Sequence, residues 1–280
     1  RKLKGRWLLQ RTKKSASGKN QWLLIKRHDK SAEAKPPRSL REQLVSSEKN
    51  KRVDPWPEDI SPQLAKLSKT IPMGKDWIHE FKWDGYRTLV KVLNGRVEFQ
   101  TRKGLDWSET YSFFSKDFLK LKVKSAVFDG EFVTLDSKGR PSFSDLQDAL
   151  KTSKFDRSLF YIFDLLYLDG HDLRDRTLED RKFILREVLK KSSTRIQYSE
   201  HWLEQGEELL QESCQRGLEG IVSKDRKGSY REGRSDSWQK VKCDQRQELV
   251  VGGYTDPAGE RAAFGALLLG TYENGRLRYR

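Results

Sequence analysis

Glu80-Phe81-Lys82-Trp83-Asp84-Gly85-Tyr86-Arg87 sets one lysine against an acid, a glycine and an arginine at fixed spacing. A lysine placed this way can act as a covalent nucleophile if its surroundings favour the neutral amine. Free lysine titrates near about 10.4, so exposing the lone pair at pH 7 costs about 4–5 kcal/mol. Nearby cations lower that cost, and Arg87 is the candidate within this stretch. Glu80 precedes Lys82 by two residues and shares its face of a strand. Asp84 and Gly85 read as geometry: the aspartate bonds local amides, and the glycine allows a turn that no side chain could follow.

Outward from this stretch, residues 77–83, 86–93 and 96–102 alternate as strands, the last two around the hairpin signal Asn94-Gly95. A helix is expected over 113–121, and apolar strands over 126–136 and 159–170. Thr177 and Asp180 resemble a capping box opening a helix over 178–191, and a further helix over 201–216 stops at Gly217. Residues 218–225 and 238–243 return to strand, and 249–280 begin an all-β unit with a second turn at Asn274-Gly275. The fold class is therefore α+β, antiparallel sheets with helices, followed by the opening strands of a small β domain.

The 280 residues carry a net charge of +15, and its position matters more than its sum. Residues 1–52 hold 17 Lys/Arg against 4 Asp/Glu, leaving 39 against 37 for the rest. A basic N-terminal stretch suits phosphate contact, although a solubilising tail reads the same way. Residues 5–12 and 21–27 form a hairpin without a core of its own, and 31–56 carry Lys35-Pro36-Pro37 and Asp54-Pro55-Trp56-Pro57, the composition of a linker. The expected layout is 1–30, 31–56, 57–245 and 246–280. No apolar run of about 18 residues is present, which excludes a membrane-spanning helix. The start at Arg1, without Met or a signal-peptide pattern, reads as an excised piece. Cys214 and Cys243 lack metal-type spacing and offer at most one bridge; buried thiols in a reducing cytoplasm are the expectation.

There is no P-loop, no G-x-G-x-x-G opening a helix, no H-E-x-x-H and no Cys/His zinc pattern. Residues able to handle a nucleotide stand instead at strand ends: Lys82, Asp84, Arg87, Arg102, Asp129, Glu131, Phe163, Glu219, Lys240 and Lys242. In order, K82-W-D-G-Y-R87, T101-R-K-G104, F128-D-G-E131, Y161-I-F-D164, E219-G-I-V-S-K224 and W238-Q-K-V-K242 resemble motifs I, its neighbour, III, IIIa, IV and V of the covalent nucleotidyltransferases. That superfamily comprises ATP-dependent DNA ligases, RNA ligases and capping enzymes. The likeness covers about residues 75–245 and is greatest to the ligase domain of bacterial end-joining ligases. The hairpin in front resembles the tail of the 3′-phosphoesterase module that precedes it there.

The resemblance implies a nucleotidyltransferase fold of the ATP-grasp-like ligase type, followed by the start of an OB-fold barrel. It implies ATP carried as AMP on Lys82, with Lys240 and Lys242 bracketing the phosphate charge. Glu80 would recognise the adenine amino group, Glu131 with Arg87 the ribose, and Phe163 would stack on the base. Arg102 would clamp a 5′-phosphate, Glu219 would hold Mg²⁺ or Mn²⁺, and Asp129 would shape its strand or aid metal hydration. Expected partners are nicked or broken duplex DNA and a Ku-like end-binding protein. The sequence stops at Arg280 before any basic motif VI, so this piece is expected to react poorly with ATP. An RNA ligase or capping enzyme, and a noncatalytic DNA-binding module, are the alternatives.

Overall fold

The computed structural model describes residues 7–14, 20–26, 53–190, 192–243, 249–256, 265–273 and 275–279. Residues 15–19, most of the expected linker and Asn274 lie outside them. The chain divides into two units, Arg1–Cys243 and Asp244–Arg280.

In the first unit, β1 (Trp7–Lys14) and β2 (Asn20–Lys26) pair antiparallel as the expected hairpin. There follow β3 (Gln63–Leu67), β4 (Trp77–Phe81), β5 (Tyr86–Leu93), β6 (Arg96–Thr101), α1 (Ser115–Leu119) and β7 (Ser125–Thr134). Then come α2 (Phe143–Thr152), β8 (Ser158–Leu168), β9 (His171–Asp172), α3 (Leu178–Leu189), β10 (Ile196–Tyr198) and β11 (His201–Leu203). The unit closes with α4 (Gly206–Gln215), β12 (Gly220–Asp225) and β13 (Gly233–Lys242). In the second unit β14 (Val250–Tyr254), β15 (Leu267–Glu273) and β16 (Arg276–Tyr279) form one antiparallel sheet.

Two sheets build the larger unit. One runs β10-β8-β7-β5-β6 with β9 on β8, the other β11-β4-β12-β13-β3. Pairing within them is antiparallel except for β10 on β8 and β13 on β3. Side-chain alternation then decides what each face does. On the six-stranded sheet, Val90, Val92, Ala126, Phe128 and Phe160 pack into an aromatic-rich core beside Phe118 of α1, Leu146 of α2 and Leu185 of α3. The alternate residues Leu89, Val127 and Phe163 turn the other way, toward Trp238 on β13. The outer face of the second sheet, with Phe81, Ile221 and Val241, buries against Leu209 of α4. The two sheets therefore face one another across a cleft.

Several expectations change. The helix read over 201–216 begins only at Gly206, because His201–Leu203 pairs with β4 and Glu204 turns the chain at φ 56°. The helix read over 113–121 splits into a 3₁₀ turn, Ser112–Phe114, and α1. Strand β3 and helix α2 are not among the elements the periodicity marks. The capping box at Thr177 holds, its hydroxyl accepting the Asp180 amide, and Gly217 ends α4's turn at φ 70°.

The cysteines are a correction. Cys214 and Cys243 form a disulfide with Cα atoms 5.4 Å apart, and Cys214 is exposed. The return of β13 alongside β12 brings Cys243 back to α4, a proximity that a separation of 29 residues conceals. The argument from free thiols to a reducing compartment falls with it. Protein denatured without reductant should titrate no free thiol with Ellman's reagent and both cysteines after reduction; free thiols before reduction would remove the bridge. Closing a loop of 29 residues should add about 3–4 kcal/mol to stability, read as a lower urea midpoint after reduction.

Candidate active site

Three adjacent strands lay out the floor of the cleft in rungs. Val222 on β12 stands between Glu80 on β4 and Lys240 on β13. The next rung, Phe81–Ile221–Val241, points to the opposite, apolar face. One step further, the Lys82 amide donates to the Gly220 carbonyl at 2.9 Å, and Gly220 pairs with Lys242. Period-two alternation thus returns Lys82 and Lys242 to the side of Glu80 and Lys240. Gly220 is required there: it sits at φ 143°, and a Cβ would lie 2.1 Å from the Val241 carbonyl oxygen.

The facing sheet supplies the opposite wall. Arg87 on β5 pairs with Glu131 on β7, and Phe163 comes from β8. Glu80, Lys82, Arg87, Arg102, Glu131, Phe163 and Lys240 line one cavity. Glu219 and Lys242 join it through Lys82: the Glu219 carboxylate accepts from Lys82 Nζ and, through its other oxygen, from Lys242 Nζ at 2.8 Å. Gly85 is needed for a different reason from the one expected. Its φ is ordinary, but a Cβ would meet the Phe132 carbonyl oxygen at 2.1 Å, so close strand approach excludes a side chain.

Asp129 sits behind the site. It is fully buried, takes Arg87 Nε at 2.5 Å and a second guanidinium nitrogen at 2.7 Å, and accepts the Tyr230 hydroxyl at 2.6 Å. The fork holds Arg87 flat over Phe163, guanidinium carbon 4.4 Å from the ring centre. Arg87 is therefore neutralised by Asp129 and is no free cation for Lys82. Lys224 Nζ also stands 4.4 Å from the Phe163 ring centre, so two cations already rest on the ring expected to stack on a base.

The charges bias one another. Burial alone would raise the Glu219 carboxyl, but hydrogen bonds from Lys242 and Lys82 outweigh it and hold the group below its usual range. Burial, then Lys82 and Lys242, pushes the Lys240 ammonium down. Burial lifts Glu131 to about 7 against the pull of Arg87 and Lys82. Among the described residues no cluster of three or more His, Cys, Asp or Glu could cage a metal ion. A lone carboxylate such as Glu219 fits a cation that arrives with phosphate oxygens, the usual habit of Mg²⁺.

Two lysines escaped the sequence reading of the site. Lys182 on α3 and Lys224 on β12 are almost fully buried, and both bond Glu80 Oε1, at 2.8 and 2.9 Å. A signal existed. The apolar stripe of α3 runs through Leu178, Leu185 and Leu189, and its intervening positions are filled by Arg181 and Lys182.

The fold and cleft define an α+β enzyme domain in which lysines and arginines surround a cavity with one half-buried amine held by a carboxylate. A family model described as the ATP dependent DNA ligase domain matches residues 62–242, and the chain belongs to that family. It is 38% identical over an alignment of 307 residues to the multifunctional non-homologous end joining protein LigD of Pseudomonas aeruginosa, covering 99% of this chain and 36% of that protein. To the LigD of Mycolicibacterium smegmatis it is 34% identical over 229 residues, covering 81% and 29%. The chain thus spans about a third of the length of these relatives. Among solved structures it resembles a mycobacterial DNA ligase D complexed with ATP and MES, at TM-score 0.60 and 33% identity, over 78% of this chain and 70% of that one. The nucleotidyltransferase fold with OB-like strands is borne out. Among the described residues no helix is long and apolar enough to cross a membrane.

The raised Glu131 carboxyl carries a pH signature. A carboxyl at 4.5 unfolded and about 7 folded binds its extra proton in the folded state, so that stability is present below 4.5 and is lost as pH rises to 7. Urea midpoints across this window should fall for the wild type relative to Glu131→Gln, by up to about 3 kcal/mol at pH 7. Parallel curves would show that Glu131 titrates normally.

Proposed function

We propose that the chain forms lysyl-AMP on Lys82 and passes the AMP to a DNA 5′-phosphate, which is then sealed to a 3′-hydroxyl. The observation that carries this reading is the Lys82–Glu219–Lys242 cluster at a cavity lined by Lys240, Arg102, Glu131 and Phe163. The Lys82 amine attacks the α-phosphorus of ATP; the N–P bond forms and the bond to the pyrophosphate oxygen breaks. A 5′-phosphate oxygen then attacks that phosphorus and the N–P bond breaks, restoring the amine. Finally the 3′-hydroxyl attacks the adenylylated 5′-phosphate, and AMP leaves. Fixed cations act where negative charge develops, and Lys240, which lines the cavity, is placed to act on the α-phosphate.

Glu219 has two tasks in this account. It holds the Lys82 amine through their ion pair, and it would hold Mg²⁺ or Mn²⁺, which would supply positive charge to the phosphates. Glu131 and Arg87 take the ribose, Phe163 the base and Arg102 the 5′-phosphate of the nick. Residues 1–30 are assigned to the tail of a phosphoesterase-like module, 31–56 to a basic linker, 57–245 to the adenylation domain and 246–280 to the start of an OB-fold domain. The relatives are non-homologous end joining proteins, so broken duplex DNA in a bacterial cytoplasm, with a Ku-like end binder as partner, is the proposed setting.

Incubation with α-labelled ATP and a divalent cation should label the protein, whereas α-labelled GTP should not. Lys82→Ala should lose the label by at least about a thousandfold, as expected for a missing nucleophile, while sealing of a chemically adenylylated nick persists, because that step needs no lysine. Undiminished label in Lys82→Ala would refute the nucleophile. DNA binding with neither labelling nor sealing would favour a noncatalytic module, and GTP labelling a capping-type enzyme.

A further inference from the structure

Helix α3 buries Arg181 and Lys182 side by side. Arg181 is accounted for by structure: its fork grips Asp164 at 2.8 Å twice, and its remaining nitrogen donates to the carbonyls of Arg176 and Gly228. Lys182 is placed differently. Its Nζ donates to Glu80 Oε1 at 2.8 Å, to the Ser199 carbonyl at 3.0 Å and to the Phe163 carbonyl at 3.3 Å. An ammonium has three donors, and all three are used. They reach β4 of one sheet, β8 of the other and the segment after β10, so one side chain fixes both residues proposed to contact the base.

Glu80 is constrained from every side. Lys182 and Lys224 hold Oε1, and the Ser199 hydroxyl donates to Oε2 at 2.9 Å. Trp83 Nε1 donates to that same hydroxyl at 3.1 Å, which directs its proton toward Glu80. A carboxylate offers about four acceptor positions, so three are taken and one remains, on Oε2. With Lys182, Lys224 and the Ser199 hydroxyl all donating to it, the position left open on Oε2 is an acceptor. An exocyclic amino group can donate to it, whereas a carbonyl oxygen in the same place would set lone pair against lone pair.

We propose that Lys182 is the positioning residue for base selection: it fixes Glu80 as an oriented acceptor, so that the pocket takes a 6-amino purine and rejects a 6-oxo purine. The inference rests on the adenylyltransferase reading above and names a determinant of its specificity. The two buried lysines divide the work unequally. Lys224 bonds Glu80 at one oxygen, whereas Lys182 bonds that oxygen and also the Phe163 and Ser199 carbonyls.

Lys182→Met leaves Glu80 paired with Lys224, so the substitution strands no lone buried carboxylate. Calorimetric titration of ATP and of GTP into the wild type, Lys182→Met and Lys182→Arg gives a ratio of affinities in which any unfolded fraction cancels. The wild type should prefer ATP. In Lys182→Met that preference should fall by about tenfold or more, equivalent to about 1.4 kcal/mol, through weaker ATP binding with GTP unchanged or tighter. Lys182→Arg, which retains charge and donors, should keep most of it. An unchanged ratio in folded Lys182→Met, or equal loss of both nucleotides, would overturn the proposal. If Lys182→Met does not melt cooperatively, Ser199→Ala carries the same test: the ratio should fall several-fold, and an unchanged ratio would overturn it. Wild-type protein that binds neither nucleotide sinks the adenylyltransferase reading itself, and this inference with it, an outcome distinct from an ATP preference that ignores Lys182.

Discussion

The Glu219 carboxylate, shared between Lys82 and Lys242, is the interaction on which the site turns. It joins residues from the ends of β4, β12 and β13, and it does so because those strands pair in a register that places their successive rungs on alternate faces. A shift of one residue in any strand would send Lys82 and Lys240 to the apolar face packed on α4. Strand register is thus a condition of the chemistry as well as of the fold.

The rest of the cleft follows from how charges are buried. Asp129 neutralises Arg87 and lays it on Phe163, and Glu80 is held by two lysines at the base end. Each would be costly alone in a dry interior and is tolerable because its lone pairs and protons are used. Lys240 and Arg102 line the cavity, with no carboxylate assigned to them among the described ion pairs, and so present positive charge to an anionic ligand. The positive charge of the cavity therefore arises in a sequence whose charges beyond residue 52 nearly balance, from placement rather than from excess.

Much of this was legible before any coordinates. The alternation in β4, β5 and β6, the Asn94-Gly95 turn and the Thr177 cap each have a local cause that a linear reading detects. The resemblance gave ten residues a role: seven of them line a single cavity, Glu219 and Lys242 join it through Lys82, and Asp129 stands behind Arg87. What escaped depends on contacts distant in sequence. His201–Leu203 carried a helical pattern but is claimed by β4, and the Cys214–Cys243 bridge exists because β13 returns beside β12. Lys182 looked like an ordinary helix lysine, since nothing local says that Glu80, 102 positions earlier, is its partner. Gly85 was rightly singled out for the wrong reason, because a neighbouring carbonyl is invisible in sequence.

The most direct test is the chemical identity of the residue that carries the nucleotide. Protein incubated with ATP and Mg²⁺ or Mn²⁺, digested and fragmented in the mass spectrometer, should show one AMP on the peptide containing Lys82 and none on Lys240 or Lys242. AMP found on either of those two lysines, with Lys82 unmodified, would contradict the account at its centre.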